Sequence, residues 1–315
     1  MIENSFDRVE RMARIFNVQK YNMYDGPGVR TLVFFKGCPL RCKWCSNPES
    51  WLREYQVMYK RQSCINCGAC IPVCPVQIHT MIQGTHEVRR NIKCLGCHAC
   101  EKACPKKALQ IMGEDRTISS LLEVIDEDRD FYFMSGGGVT LGGGEVTAQS
   151  ESATSLLMAC KQEGFHTAIE TCGYCKTENL MKMAEYIDLF LFDIKHMDPV
   201  KHKELTGVNN ELILNNLKTL LDAGKHVKIR MPLLKGINDS QEEIFAVISF
   251  LKPYRHYKNF EGVDLLPYHK MGVGKYQQLD IEYPIKDDPS LSTEELMQIE
   301  TWIKDEEFPV KLIRH

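Results

Sequence analysis

From Thr117 to the end of the chain, stretches of helical hydrophobic period alternate with short β-branched and aromatic runs. The pattern predicts helices over 118–128, 151–164, 178–186, 211–223, 241–254 and 293–305, and strands over 138–141, 166–170, 188–194, 227–232 and 263–266. A last short strand follows the final helix. Nearer the start, 14–19 alternates like a strand, Asp25-Gly26-Pro27-Gly28 reads as a turn, and 31–35 is a short strand delivering the chain to a cysteine cluster. Strands each followed by a helix imply a parallel sheet with right-handed crossovers. Six or so such units over about 250 residues suit an α/β fold of the partial (β/α)6 barrel type better than a thin sheet. Periodicity leaves open whether the barrel closes. No solenoid repeat or low-complexity segment interrupts it.

Residues 54–112 break the pattern, with eight cysteines, little helical period and short polar connections. They read as a small domain inserted into a core of 13–53 and 113–315, with 1–12 as a flexible N-terminal extension. Hydrophobic residues make up 43% and charged residues 26% of the 315, so the chain can bury a sizeable core. A net charge of −3 and no lysine/arginine block argue against a general polyanion binder. No run approaches the roughly 18 apolar residues of a membrane span. The opening MIENSFDRVERMAR lacks an apolar signal core, so the cytoplasm is the expected location.

Fourteen cysteines are too many for structural disulfides in a reducing compartment, so metal ligation is the leading account. Cys38, Cys42 and Cys45 form a CxxxCxxC cluster in the loop beyond the 31–35 strand, where α/β folds place active sites. Three thiolates on a four-iron cluster would leave one iron open, whereas a structural zinc site would need a fourth, distant ligand such as a histidine. Cys64, Cys67, Cys70 and Cys74-Pro75, then Cys94, Cys97, Cys100 and Cys104-Pro105, each match the C-x2-C-x2-C-x3-C-P run of bacterial ferredoxins. In that arrangement the fourth cysteine of each run serves the other cluster. Cys64, Cys67, Cys70 and Cys104 then hold one [4Fe–4S] cluster and Cys94, Cys97, Cys100 and Cys74 the second. Zinc knuckles are the competing reading. Cys160, Cys172 and Cys175 read as packing residues. Two function classes follow: an enzyme with a reducible active-site cluster, or a plain electron carrier.

The CxxxCxxC spacing with Trp44 before its third cysteine resembles the signature of radical S-adenosylmethionine (SAM) enzymes. Tyr24-Asp25-Gly26-Pro27-Gly28-Val29-Arg30-Thr31, Phe34-Phe35-Lys36-Gly37-Cys38 and Cys45-Ser46-Asn47-Pro48-Glu49 resemble the N-terminal signature of the activating enzymes of glycyl radical enzymes. The ferredoxin-type segment matches the longer members. The resemblance implies that SAM chelates the open iron of a cluster held by Cys38, Cys42 and Cys45, beside Trp44 and Ser46. Reductive cleavage then gives a 5′-deoxyadenosyl radical that takes a hydrogen atom from a backbone glycine of a partner glycyl radical enzyme. It further implies two auxiliary clusters, a flavodoxin or ferredoxin as electron donor, and a location in the cytoplasm or with a bacterial microcompartment.

Site residues follow from the same resemblance. Gly143, Gly144 and Glu145 match a GGE motif that holds the methionine amino group, while Gly136-Gly137-Gly138 upstream reads as a bend. Asp193 and Lys195 match a DxK motif whose lysine meets the cofactor carboxylate. Glu170-Thr171 stands where some relatives carry an aspartate and a threonine that bind a monovalent cation. Arg230 and His269 match two further cofactor contacts, and Asp25 and Arg30 match contacts to the partner's glycine loop. A radical enzyme acting on a small molecule is the runner-up within the superfamily.

Overall fold

The computed structural model describes residues 11–313. Most of the expected flexible extension, 1–10, lies outside the described residues. The chain begins with β1 (Met12–Asn22) and β2 (Arg30–Phe35). The cysteine-rich segment follows, with β3 (Gln56–Tyr59), β4 (His79–Ile82), β5 (Thr85–Val88), α1 (Ala99–Ala103) and β6 (Leu109–Met112). Next come β7 (Glu114–Thr117), α2 (Ile118–Asp126), α3 (Arg129–Ser135), β8 (Gly138–Gly143), α4 (Ser150–Gln162), β9 (His166–Thr171), α5 (Thr177–Met183) and β10 (Leu189–Asp193). The rest is α6 (Pro199–Thr206), α7 (Glu211–Asp222), β11 (Val227–Leu233), α8 (Gln241–Leu251), β12 (Phe260–Pro267), α9 (Val273–Gln278), α10 (Thr293–Asp305) and β13 (Val310–Leu312).

One sheet runs in the order β13-β12-β11-β10-β9-β8-β2-β1-β7. From β13 through β2 every neighbouring pair is parallel, and β1 and β7 extend that edge antiparallel. Among the described residues β7 and β13 do not pair, so the barrel is open. The strands and helices predicted after Thr117 all form. The periodic pattern missed α3, α6 and α9, which are short, and the two-stranded sheets β3-β6 and β4-β5.

Alternation along each strand separates two faces. Val33, Phe35, Val139, Leu141, Ile169, Phe190, Phe192, Ile229, Met231, Val263 and Leu265 belong to the main core with the apolar faces of α2, α4, α5, α7, α8 and α10. In β10, which reads LFLFD, Phe190 and Phe192 belong to that core. Leu189 and Leu191 form a separate small cluster with Ala168, and Asp193 lines a cavity. A strand buried on both faces thus ends in a charged group, which is how the fold delivers polar chemistry to the barrel's inside.

The turn at 25–28 is held by a residue expected at the partner interface. Arg30 is fully buried. Its Nε donates to Thr140 Oγ1 (2.6 Å), Nη1 to the Pro27 carbonyl (3.0 Å) and Nη2 to the Val139 carbonyl (2.6 Å). Thr140 Oγ1 donates to the Asp25 carbonyl at 2.7 Å. The expectation that Arg30 meets a partner is therefore corrected: a long side chain that can satisfy several backbone acceptors serves here as an internal tie between the turn and β8. Burial lowers its pKa to about 10, still well above neutrality. The three-glycine run is also more than a bend. Gly136 caps α3 with φ 68°, and a Cβ on Gly137 or Gly138 would lie 1.9 Å from the Val29 carbonyl oxygen or 2.0 Å from that of His166.

Arg30→Met should leave those acceptors buried without a donor and lower stability by about 3 kcal/mol. Urea denaturation of the folded variant checks this, and an unchanged midpoint would show the tie to be dispensable.

Candidate active site

A cavity of about 370 Å3 opens at the C-terminal ends of the parallel strands. Asp25, Cys38, Cys42, Trp44, Cys45, Ser46, Gly143, Gly144, Glu170, Thr171, Asp193, Lys195, Arg230 and His269 all line it. These positions are scattered over more than two hundred residues of sequence, and strand register brings them together. Asp193 pairs with Arg230 across β10 and β11, and Leu191 pairs with Glu170 across β10 and β9.

The cysteine loop is pinned by its backbone. Gly37 N–H donates to the Ser50 carbonyl (2.7 Å), Arg41 N–H to that of Thr206 (2.7 Å), and Lys43 N–H to that of Leu205 (3.0 Å), so the end of α6 holds it from outside. Tyr276 Oη donates to the Cys45 carbonyl at 3.1 Å. Lys275 Nζ bridges Asn47 Oδ1 (2.8 Å) and Glu49 Oε1 (2.6 Å). Asn47 N–H points at Cys45 Sγ from 3.4 Å. Burial pushes the Cys42 thiol up to about 12 and raises Cys38 and Cys45, so three thiolates persist together here only against a bound cationic centre. That donor set fits a thiolate-ligated iron cluster.

The glycines of the expected GGE motif serve the protein first. A Cβ on Gly143 (φ 108°) would meet Phe35 N at 2.7 Å, and one on Gly144 would meet the Gly37 carbonyl oxygen at 2.5 Å. This close approach lets Gly144 N–H donate to the Phe35 carbonyl (2.9 Å) and Glu145 N–H to that of Gly37 (2.8 Å). Glu145 itself departs from expectation, because its carboxylate is buried and does not line the cavity. Its Oε1 accepts from Thr147 N–H (3.1 Å), Thr147 Oγ1 (2.8 Å) and Thr171 Oγ1 (2.8 Å), and its Oε2 from Cys172 N–H (2.8 Å). It ties the β8 and β9 loops together.

Charge is concentrated on the far wall. Arg230 Nη1 donates to Asp25 Oδ1 at 2.8 Å and also to Glu170 Oε1. Burial and the Asp25 charge push the Glu170 carboxyl up to about 8. Burial works against the Arg230 charge, but Glu170 and Asp25 outweigh it and hold the guanidinium ionised. Lys195 Nζ donates to Asp193 Oδ2 at 2.9 Å. Burial disfavours its charge too, yet Asp193 and Cys42 raise its pKa above the usual lysine range. At the position where relatives carry a cation-binding aspartate and threonine, the Glu170 carboxyl meets the Arg230 guanidinium and the Thr171 hydroxyl donates to Glu145. Cys172, read from sequence as a packing residue, lines the cavity, as do Gln19, Asn47 and Tyr268. Cys172 follows directly on the Glu170-Thr171 strand end, the one signal that could have placed it.

In the cysteine-rich segment, Cys64, Cys67, Cys70 and Cys104 line one small cavity, and Cys74, Cys94, Cys97 and Cys100 line another. The fourth cysteine of each run has crossed to the other group. Backbone N–H groups of Asn66, Ile78 and Gly96 point at Cys64, Cys74 and Cys94 Sγ from 3.4 Å, and that of Ala108 at Cys104 Sγ from 3.2 Å. Burial raises Cys70 to about 11 and Cys100 to about 12, so these groups too suit thiolates on a cationic centre.

An open parallel sheet whose strand-end cavity gathers three loop cysteines and a charged wall defines an enzyme of the radical SAM type, and residues 89–248 match the model of the radical SAM superfamily. Residues 63–109 match a 4Fe-4S dicluster domain and 24–69 a 4Fe-4S single cluster domain. The chain is 62% identical to the choline trimethylamine-lyase activating enzyme of Oleidesulfovibrio alaskensis, over 98% of this chain and 100% of that one. It is 43% identical to the trans-4-hydroxy-L-proline dehydratase activating enzyme of Clostridioides difficile (95% of this chain, 98% of that one). It is 39% identical to the isethionate sulfite-lyase activating enzyme of O. alaskensis (90% and 92%). The chain belongs to the activating enzymes of glycyl radical enzymes within the radical SAM superfamily. Among the described residues, no helix is long and apolar enough to cross a membrane.

Glu145→Gln turns an amide N–H2 toward donors that now meet a carboxylate. It should lower stability by about 2 kcal/mol, read by chemical denaturation. Wild-type stability would show that the loop tie lies elsewhere.

Proposed function

We propose that the partner of this activase is a choline trimethylamine-lyase, and that Cys38, Cys42 and Cys45 hold the SAM-binding cluster. Cys64, Cys67, Cys70 with Cys104, and Cys94, Cys97, Cys100 with Cys74, would hold two auxiliary clusters. The observation that carries the site reading is the single cavity lined by the three loop cysteines, the Gly143-Gly144 backbone, Asp193, Lys195 and Arg230. Identity of 62% along nearly the whole chain supports the choice of lyase. When bound and reduced, the open cluster supplies the electron that splits SAM into methionine and the 5′-deoxyadenosyl radical, which takes hydrogen from the lyase's glycine.

The chain's own residues bind, orient and exclude water. Lys195, held charged, meets the methionine carboxylate, and backbone carbonyls at Gly143-Gly144 accept from its amino group. Trp44, Ser46 and His269 wall the cavity around the nucleoside. Asp25, fixed by Arg230 and by its turn, stands where the partner's glycine loop enters. A flavodoxin or ferredoxin supplies the electrons, and the enzyme works in the cytoplasm or with a bacterial microcompartment.

Anaerobic reconstitution, reduction and addition of SAM and choline lyase should give a persistent glycine-centred electron paramagnetic resonance (EPR) signal. SAM cleavage without that signal would keep the radical chemistry and reject this partner. Cys42→Ala should keep the auxiliary iron while abolishing 5′-deoxyadenosine formation, and retained turnover would refute the assignment of the loop cysteines.

A further inference from the structure

We infer that His79 and His86 form a built N–H donor to the cluster of Cys64, Cys67, Cys70 and Cys104, making it easier to reduce than its neighbour in the same segment. The inference rests on the auxiliary clusters proposed above. The β4-β5 hairpin turns at Gln83 (φ 48°) and Gly84 (φ 78°), and its inner face carries the two rings, His79 opposite buried Val88 and His86 opposite Met81. His79 is 2% exposed and His86 1%, and His79 Nδ1 lies 3.1 Å from His86 Nε2. The remaining nitrogens, His79 Nε2 and His86 Nδ1, are buried with no hydrogen-bond partner in the protein. His86 lines the cavity of the four cysteines, and Cys70 Sγ lies within 4.8 Å of a nitrogen of each ring.

The proton count forces the conclusion that a donor is present. In the neutral pair one ring donates to the other through the 3.1 Å contact. If His79 donates, His86 Nδ1 carries the second proton. If His86 donates, His79 Nε2 does. Any additional proton only adds a donor. In every state, therefore, the pair presents at least one buried N–H that the protein does not satisfy, on rings that each bring a nitrogen within 4.8 Å of Cys70 Sγ. Cluster sulfur is the acceptor at hand.

Such a donor stabilises the more negative, reduced cluster over the oxidised one and raises its potential. The cluster gains one electron from an external reductant, and the proton stays on nitrogen. The second cavity has no buried histidine pair: Val76, Ile78, Leu95 and Ile111 line it with a single, partly exposed His98 whose Nδ1 lies 2.7 Å from Glu101 Oε2. The electron consequently rests on the first cluster.

The holoenzyme should be titrated with dithionite and followed by EPR. His86→Phe, which removes the ring lining the cavity, should retain about twelve irons per chain and move one of three reduction waves to more negative potential. The expected shift is about tenfold in the reduced-to-oxidised ratio, or about 59 mV for one electron. All three waves in place, with iron retained, would overturn the inference. If a variant loses iron, wild-type enzyme carrying ring-15N histidine decides, because the reduced auxiliary cluster must then show an imidazole nitrogen coupling that persists in His98→Phe. No coupling, or a stoichiometric metal other than iron bound by the pair, refutes it. Wild-type iron near four per chain would remove the auxiliary clusters themselves, a failure of the earlier reading that no histidine variant would produce.

Discussion

The site depends on how closely the backbones of β2 and β8 approach at their C-terminal ends. Two hydrogen bonds, Gly144 N–H to Phe35 and Glu145 N–H to Gly37, fasten the start of the cysteine loop to the strand beside it. They form only because Gly143 and Gly144 have no Cβ to collide with Phe35 and Gly37. From that seam Cys38 is one residue away. The Glu145 carboxylate then gathers Thr147, Thr171 and Cys172, so the loops after β8 and β9 are tied to each other and to the cysteine loop. A glycine-rich turn that suggests ligand approach is first a device for bringing two strands together.

The opposite wall depends on electrostatics. Asp25 and Glu170 come from β1-β2 and β9, and one Arg230 guanidinium from β11 meets both. Buried like charges repel, so this arrangement persists because the guanidinium neutralises part of the charge and Glu170 holds its proton more tightly. The result is an internal strut across the open barrel. It fixes Asp25 at the cavity edge, while Arg30 fixes the same turn from behind through the Pro27 and Val139 carbonyls.

Much of this was legible in the sequence, for reasons that can be stated. Cysteine spacing is dictated by cluster geometry, so the crossed grouping of the two ferredoxin runs could be written down before any coordinates. The parallel strands showed because they are buried on both faces and read as apolar runs, and their ends carried the charged residues found in the cavity. Arg30 was misplaced because a charged residue beside a turn reads as exposed, and its burial is licensed by the Val139 carbonyl and Thr140 hydroxyl on β8, more than a hundred residues away. Glu145 was misjudged for the same reason, since all four of its donors lie outside its motif and two of them, Thr171 Oγ1 and Cys172 N–H, come from the end of β9 more than twenty-five residues on. The β4-β5 hairpin stayed hidden because its buried face holds histidines, which break the apolar alternation, and its turn is Gln-Gly rather than the stronger Asn-Gly signal.

The two iron-binding regions share a support that neither motif announces. Arg61 and Arg90 of the cysteine-rich segment both meet the carboxylate of Asp280, and Arg90 also donates to the Gln278 carbonyl at 2.8 Å. Two residues earlier, α9 carries Tyr276 against the Cys45 carbonyl and Lys275 against Asn47 and Glu49. Met58 and Met112 pack on Leu279 between these contacts. One short helix and its following turn thus hold the Cys38–Cys45 loop with one end and the cysteine-rich segment with the other. A buttress that fixes both regions to the same few residues ties the position of one to the position of the other. Asp280 has a left-handed backbone, φ 56°, which turns its carboxylate back toward both arginines. That conformation is uncommon for a residue other than glycine, and here two ion pairs at 2.8 and 2.9 Å hold it in place.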